Sequence, residues 1–372
     1  MTNSILLLIS ANFILGTAAG IIMHRSDYCV AGIFRDYFLF RQTLMLKTLM
    51  LLIAASMVLF ELSRRLELLP HYPFPILGSP SLANIAGGII FGIGMVLAGG
   101  CVVGTLYKMG SGSIISATAL VGLIIGSAFY AEMHSWWQSI ARSTAFLKGQ
   151  VTLPQVFECD PLLLIVPIVL VAAILFAHWT KQGTMTRHSS AEGYLQPWKA
   201  ALYLSFIGAI SYILVGMPLG ITTAYAKIAA YLEVLIIPMH VTENTFFSAV
   251  PLDYHNSLFE LQLQGGAGPH FDAIAFIQFP VIAGIIAGAF LSATLLREFK
   301  IYYKVPIRQY LSALIGGIIL ALGSRMTPGC NIWHMFGGLP ILAMQSIFFL
   351  IGIFPGTCIG TFILRRYVLT VR

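Results

Sequence analysis

The sequence predicts an all-α polytopic membrane protein with about nine transmembrane helices, and three observations lead to that prediction. Of the 372 residues, 58% are hydrophobic and 9% are charged, whereas soluble domains carry about 25% charged residues. The mean hydropathy is +0.87, and the apolar residues fall into runs of about 20, enough to cross a bilayer as a helix. A pattern of glycines around one cysteine also occurs twice. These properties exclude a soluble globular domain.

The apolar runs give nine predicted spans, at residues 4–22, 43–62, 83–99, 113–131, 161–179, 199–216, 273–296, 309–325 and 340–364. Four further segments are too short, or too interrupted by glycine and proline, to cross on their own: 24–41, 99–111, 218–237 and 327–338. Irregular backbone inside a bilayer is tolerated only where protein buries it or where it lines a cavity. We therefore predict that these four segments are re-entrant half-helices.

The glycine and cysteine pattern divides the chain into two related halves. Cys101 lies 13 residues after Gly88, and Cys330 lies 13 residues after Gly317. The same frame also aligns Gly94 with Gly323 and Gly100 with Gly329. We predict a first repeat at 1–131, a loop, connecting span and cytoplasmic linker at 132–198, and a second repeat at 199–372, all in one membrane domain. Since a single connecting span separates them, the second repeat is inverted, which places a transport site near the mid-plane.

The positions of lysine and arginine predict the orientation. Most of them face one side of the membrane if the N-terminus lies outside, so the positive-inside rule places the C-terminus in the cytoplasm. Segment 238–272 contains acidic residues and no Lys or Arg, which suits the outer side. The first apolar segment has no basic flank, so no cleavable signal peptide is predicted. The net charge of +7 reflects this orientation, with lipid as the partner and no nucleic acid.

Three of the five cysteines, Cys29, Cys101 and Cys330, lie on predicted re-entrant segments beside small residues. A half-helix that starts at such a break directs its free N–H groups and partial positive charge toward the membrane centre, which favours an anion. A protonated thiol is a weak donor and a weak acceptor. Such thiols suit the transit of an anion with a soft sulphur terminus, because a transport site must also release its cargo. Cys159 is expected in a loop and Cys358 in helix packing.

Other residues near the breaks complete the candidate pathway. Gly100 and Gly329 allow close backbone approach, and Asn331 offers an amide to cargo. His334 either contacts the cargo or supports those residues that do. Arg325, Arg25 and Lys108 supply positive potential, although each has a structural alternative: snorkelling for Arg325, pairing with Asp27 for Arg25 and anchoring for Lys108. No metal, cofactor or enzymatic activity is predicted, and the chain has no GxxxxGK[ST] motif for ATP hydrolysis.

The GGC and PGCN turns, the duplicated layout and the early cysteine resemble the YeeE/YedE sulphur-transport family over nearly the whole chain, most firmly at 94–104 and 317–338. This resemblance implies a bacterial inner-membrane transporter in which three cysteines on re-entrant loops, here Cys29, Cys101 and Cys330, relay thiosulfate. It also implies a small cytosolic sulphur-carrier protein as the recipient. The bulky residues 331–334 leave another sulphur or selenium species open as the cargo.

Two other functions compete with sulphur-anion transport. A soft-metal transporter could use cysteine, methionine and His334, since thiolates and thioethers select soft metals, but the positive local charge disfavours it. A membrane redox enzyme could pass electrons between cysteines, but the sequence contains no CxxC pair.

Overall fold

The computed structural model describes residues 2–189 and 191–369, and helices dominate these ranges. In chain order the helices are α1 (Thr2–Ser26), α2 (Val30–Phe40), α3 (Leu44–Arg65), α4 (Ala83–Leu97), α5 (Val102–Gly110), α6 (Ile114–Ser143), α7 (Leu153–Val156), α8 (Pro161–Lys181), α9 (Pro197–Val215), α10 (Thr222–Val234), α11 (Pro238–Glu243), α12 (Thr245–Ser248), α13 (Ala273–Leu295), α14 (Ile307–Met326) and α15 (Met344–Ile363). Strands β1 (Leu252–Asn256) and β2 (Leu261–Gly265) form an antiparallel hairpin before α13, and π-helical turns cover Trp333–Gly338 and Leu364–Val368.

Within the described ranges, nine helical segments are long and apolar enough to cross a membrane, which confirms the predicted fold class and number of spans. Two of these segments are compound, because α2 follows α1 and α5 follows α4 after a short break. Helices α2, α5 and α10 contain 11, 9 and 13 residues. At a rise of 1.5 Å per residue, each is shorter than the ~30 Å hydrocarbon core.

The structure differs from the sequence prediction in two places, the end of α6 and segment 238–272. Helix α6 continues to Ser143, beyond its predicted end at 131, and Trp137 Nε1 donates to the Met326 carbonyl oxygen at 3.0 Å. This bond holds the additional turns of α6 against the end of α14, and these turns lie where the sequence predicted the start of a loop. Segment 238–272, predicted as a loop, contains α11, α12 and the hairpin. The Tyr254 hydroxyl of β1 donates to the Val215 carbonyl at the end of α9.

Glycines bring the long helices into backbone contact. Helix α1 packs along α13, α4 along α15, α6 along α14 and α3 along α9, while α4 also contacts α14. A Cβ atom added to Gly88 would lie 2.6 Å from the Phe349 carbonyl oxygen, and one added to Gly92 would lie 2.7 Å from that of Ile353. Small residues at such interfaces allow close packing in lipid, where the hydrophobic effect does not drive helix association.

Replacing Gly88 with valine is expected to destabilise the protein by about 2 kcal/mol, because overpacking at a backbone contact forces α4 away from α15. Thermal unfolding of the purified protein in detergent measures the change. Gly208→Ala is the matched control, since a Cβ there would have no heavy atom within 4 Å. The control is expected to be neutral or to stabilise by up to about 1 kcal/mol. Equal unfolding temperatures for Gly88→Val and wild type would contradict this interpretation of the packing.

Candidate functional site

The three predicted pathway cysteines each stand at the start of a helical segment. Cys29 is the N-cap of α2 and Cys101 is the N-cap of α5, where its sulphur accepts the Gly104 N–H at 3.2 Å. The Cys330 carbonyl accepts the His334 N–H at 2.9 Å and begins the helical turn after α14. N-cap positions favour side chains that accept an amide hydrogen. At Cys101 a thiol takes that role, which fixes its direction.

Two of these thiols are in contact. The sulphur atoms of Cys29 and Cys101 lie 3.9 Å apart, and both residues are buried. Gly104 packs against the pair, since a Cβ at that position would lie 2.6 Å from the Cys29 sulphur and 3.2 Å from the Cys101 sulphur. Cys330 is also buried, and a cavity of about 20 Å³ lies between it and Val103 of α5. Such a cavity holds about one water molecule.

Glycine conformation explains where two of the helices break. Gly99 follows α4 with φ +72°, and Gly329 follows α14 with φ +145°, so the left-handed position at the first break is Gly99. The neighbouring Gly100 serves close approach instead, because a Cβ there would lie 3.3 Å from the Gly104 carbonyl carbon. A Cβ at Gly329 would overlap the indole of Trp333. L-residues rarely adopt positive φ, so both turns depend on glycine.

Arg325, at the end of α14, is a buried cation with no carboxylate partner among residues 2–189 and 191–369. Only 9% of it is exposed. One terminal nitrogen donates to the Thr223 hydroxyl at 3.2 Å and the other to the Thr222 hydroxyl, while its Nε has no partner within those ranges. A buried charge is costly unless it is paired. The site is therefore suited to an anion supplied from outside the chain.

Arg325 lines two adjoining cavities of about 450 and 460 Å³, which we call the vestibule. Arg142, Lys148 and His134 add basic groups to its walls. Among the described lining residues there is no aspartate or glutamate. Gly329 and Trp333 also line the vestibule, and they stand on either side of Cys330 in the chain. A cleft of one charge sign attracts ions of the opposite sign, so the vestibule favours anions.

His334 ties the segment after Cys330 to the helix before it. Its Nε2 lies 2.6 Å from the Thr327 carbonyl oxygen and its Nδ1 lies 3.0 Å from the Ser346 hydroxyl. Because a carbonyl only accepts, Nε2 carries the hydrogen and Nδ1 accepts the Ser346 hydrogen. The ring also stacks on Phe349, with centroids 4.3 Å apart. Both ring nitrogens are thus occupied by protein, so His334 positions Cys330.

The other two basic candidates also bind protein groups. Lys108 Nζ donates to the Gly99 carbonyl at 2.9 Å, reaching back across the α4–α5 break. Arg25 forms an ion pair with Glu298 at 2.8 Å and donates to the carbonyls of Gly193 and Glu192. It therefore attaches the linker between α8 and α9 to the end of α1, and its ion pair is with Glu298 rather than Asp27.

The structure adds residues that the sequence did not single out. Tyr225 of α10 is buried near the Cys101 and Cys330 thiols, and its hydroxyl makes no hydrogen bond within the described ranges. Arg35 of α2 lies near Cys29, since a Cβ at Gly32 would lie 3.8 Å from the Cys29 Cβ and 4.0 Å from an Arg35 nitrogen. Tyr225 gave no sequence signal because an aromatic residue in an apolar segment is normally part of the packing.

These features define the class of protein: a multi-pass α-helical membrane protein with three buried thiols and a cavity whose described lining contains basic residues and no aspartate or glutamate. A profile described as sulphur transport matches residues 25–359, so the chain belongs to the sulphur transport family.

Curated relatives agree with this assignment. The chain is 28% identical over 371 residues to a thiosulfate transporter TsuA of Spirochaeta thermophila, which covers 93% of this chain and 97% of that protein. It is 25% identical to a thiosulfate transporter TsuA of Escherichia coli, over 91% of this chain and 89% of that protein. It is 28% identical to a probable transporter YedE of Escherichia coli, over 45% and 40%. Together with the family, these relatives indicate transport rather than catalysis.

Replacing His334 with alanine is expected to lower the unfolding temperature, because it leaves the Thr327 carbonyl and the Ser346 hydroxyl unpaired at about 1–3 kcal/mol each. Thermal unfolding in detergent measures the loss. His188→Ala, at an exposed residue of the linker, is the matched control and is expected to leave stability unchanged. An unfolding temperature for His334→Ala equal to that of the control would show that these bonds do not support the break.

Proposed function

We propose that this protein carries a small sulphur-containing anion, with thiosulfate as the first candidate, across the bacterial inner membrane. The observation that carries the proposal is the set of three buried thiols at helix starts, below a vestibule whose described lining is basic and free of acidic residues. The sulphur transport family and the names of two full-length relatives support the substrate class. A selenium compound or another sulphur species remains the alternative cargo.

The geometry supports an order for the proposed cysteine relay. The anion enters the vestibule and meets Arg325, which has no carboxylate partner in the described ranges. It passes Trp333 to reach Cys330, and then moves to the contacting pair, Cys101 and Cys29. Each protonated thiol offers a weak donor and a polarisable acceptor to the sulphur end of the anion. Weak successive contacts allow binding and release along the path.

We also propose that 1–131 and 199–372 are inverted repeats and that the four short segments are re-entrant. In these repeats α1 corresponds to α9, α3 to α13, α4 to α14 and α6 to α15. The α1–α13 contact therefore corresponds to the α9–α3 contact, and the α4–α15 contact corresponds to the α14–α6 contact. All four contacts occur in the structure. This correspondence supports the repeats. With the N-terminus outside, the vestibule opens outward and the basic linker faces the cytoplasm. A small cytosolic sulphur-carrier protein would then receive the cargo at the inner face.

A soft-metal substrate is less well supported than a sulphur anion. Within the described part of the chain, one group of side chains brings three possible metal ligands together, and it consists of Glu132, Glu233 and His240. Cysteine is absent from that group. Soft metals favour sulphur ligands, and the pathway thiols Cys29, Cys101 and Cys330 do not belong to that group. The local chemistry therefore favours an anion.

Cys101→Ala and Cys330→Ala are expected to reduce the uptake of ³⁵S-labelled thiosulfate by proteoliposomes about tenfold or more, because each removes one thiol contact of the proposed relay. Cys358→Ala is the matched control, since this cysteine is exposed on α15, away from the pathway. The control is expected to transport at the wild-type rate. Wild-type uptake by both pathway variants would end the relay hypothesis, and no uptake by the wild type would end the thiosulfate assignment.

Arg325→Gln is expected to raise the half-saturation concentration for thiosulfate about tenfold or more, since a hydrogen bond to a charged group contributes about 1.5–3 kcal/mol. Arg325→Lys retains the charge and is expected to show a smaller rise. Arg187→Gln, in the exposed linker, serves as the control for loss of a basic residue. The anion-binding role of Arg325 fails if Arg325→Gln and Arg187→Gln give the same half-saturation concentration.

A further inference from the structure

We infer that Tyr225, Asn331 and Trp333 form a subsite that binds the oxygen-bearing end of the cargo while the thiols bind its sulphur end. The inference rests on the proposed function and makes it more specific: the cargo has a soft sulphur terminus and an oxyanion group, as in thiosulfate. The subsite lies between the vestibule and the Cys101–Cys29 pair. It is built from neutral hydrogen-bond donors on two different segments, α10 and the turn after α14.

The first observation is that these three side chains have buried polar atoms without partners. Tyr225 is 1%, Asn331 is 0% and Trp333 is 6% exposed. The Tyr225 hydroxyl, both polar atoms of the Asn331 amide and the Trp333 Nε1 make no hydrogen bond within residues 2–189 and 191–369. Native proteins pair nearly all of their buried polar groups. Two of these residues, Tyr225 and Asn331, lie near the same Cys101 thiol, which indicates a ligand that the chain is built to receive.

The second observation is their position relative to the sulphur atoms. Asn331 follows Cys330 directly in the chain, and its amide lies near the Cys101 thiol. Tyr225 lies near both Cys101 and Cys330. The unpaired groups therefore lie beside the step from Cys330 to Cys101, the first and second thiols of the proposed relay.

The third observation connects this place to the vestibule. Trp333 lines the vestibule, and its Nε1 atom is buried in the protein and has no partner in the described ranges. Tyr225 lies one turn after Thr222 on α10, and the Thr222 hydroxyl receives a hydrogen bond from Arg325. Hydrogen-bond donors are therefore found both at the vestibule, on Arg325, and near the thiols, on Tyr225. An oxyanion that leaves Arg325 would find the next donors within the same two segments.

The chemistry of a two-ended anion explains why both kinds of group are needed. Thiols are weak donors and suit a polarisable sulphur atom. Oxyanion oxygens instead favour N–H and O–H donors, and hydrogen bonds to an ionised acceptor are the stronger ones. Because Tyr225, Asn331 and Trp333 are neutral, they can hold the oxygens without the strong attraction of a buried cation. The cargo is then oriented by its two ends, sulphur toward the cysteines.

The test compares Tyr225→Phe and Asn331→Leu with wild type in proteoliposomes that take up ³⁵S-labelled thiosulfate. Tyr225→Phe removes one oxygen atom and is expected to raise the half-saturation concentration about tenfold, the effect of losing one hydrogen bond to a charged ligand. Asn331→Leu is expected to act in the same direction. Tyr231→Phe is the matched control, because its hydroxyl is also unpaired in the described structure but lies further along α10, beside Phe271.

The outcomes separate this inference from the proposed function. Wild-type uptake with unchanged half-saturation in Tyr225→Phe overturns the subsite and leaves thiosulfate transport standing. Absence of uptake by the wild type itself overturns the proposed function, and the subsite with it. The unfolding temperature of each variant is measured alongside, and Tyr225→Phe is expected to match wild type because no protein hydrogen bond is lost. An equal rise in Tyr231→Phe would assign the effect to α10 packing and would also overturn the subsite.

Discussion

Unpaired backbone groups at a break in a helix are the constraint on which the rest of this structure depends. Inside a bilayer no water can satisfy such groups, and each costs several kcal/mol. At the first break Lys108 donates to the Gly99 carbonyl, and at the second His334 donates to the Thr327 carbonyl. In both cases a side chain from beyond the break reaches back to the helix before it. The thiols occupy fixed positions because these bonds close the breaks.

Charged groups and neutral hydrogen-bonding groups occupy different parts of the proposed path. Basic groups line the vestibule, where they raise the local concentration of anions. Between the vestibule and the Cys101 thiol, the groups of the proposed path are thiols, a phenol, an amide and an indole N–H, all of which are neutral donors or acceptors. A cation at that depth would bind an anion too tightly for release. The separation therefore suits selection at the mouth and rapid passage past the thiols.

The sequence predicted the helical framework well because bilayer thickness imposes a length that hydropathy reveals. Glycine beside cysteine also marked the breaks near Cys101 and Cys330, since positive φ favours glycine. Contacts between residues that are distant in the chain could not be predicted from the sequence. The ion pair of Arg25 with Glu298 and the extension of α6 to Ser143 depend on tertiary packing. The hairpin had a local signal, the alternation of apolar and polar residues in β1 and β2, which the interpretation as a loop overlooked.

The proposed role of Tyr225 could not have been predicted from the sequence for a different reason. The property that distinguishes Tyr225 is that its buried hydroxyl has no hydrogen-bond partner in the described ranges. A missing hydrogen bond produces no pattern in the sequence. The same applies to Arg325, whose carboxylate-free surroundings within the described ranges emerge only when three helices are assembled around it. Functional residues of this kind become visible through unmet hydrogen bonds and charges.

The glycine contacts between α4 and α15, and between α6 and α14, limit how this protein can move. Backbone touches backbone at these places, so there are no intervening side chains whose rotamers could absorb a rotation of one half against the other. Rocking of two rigid halves is therefore a poor description of its working cycle. A solute would instead cross by small displacements of the short helices α2, α5 and α10, inside a wall of long helices that stays closed.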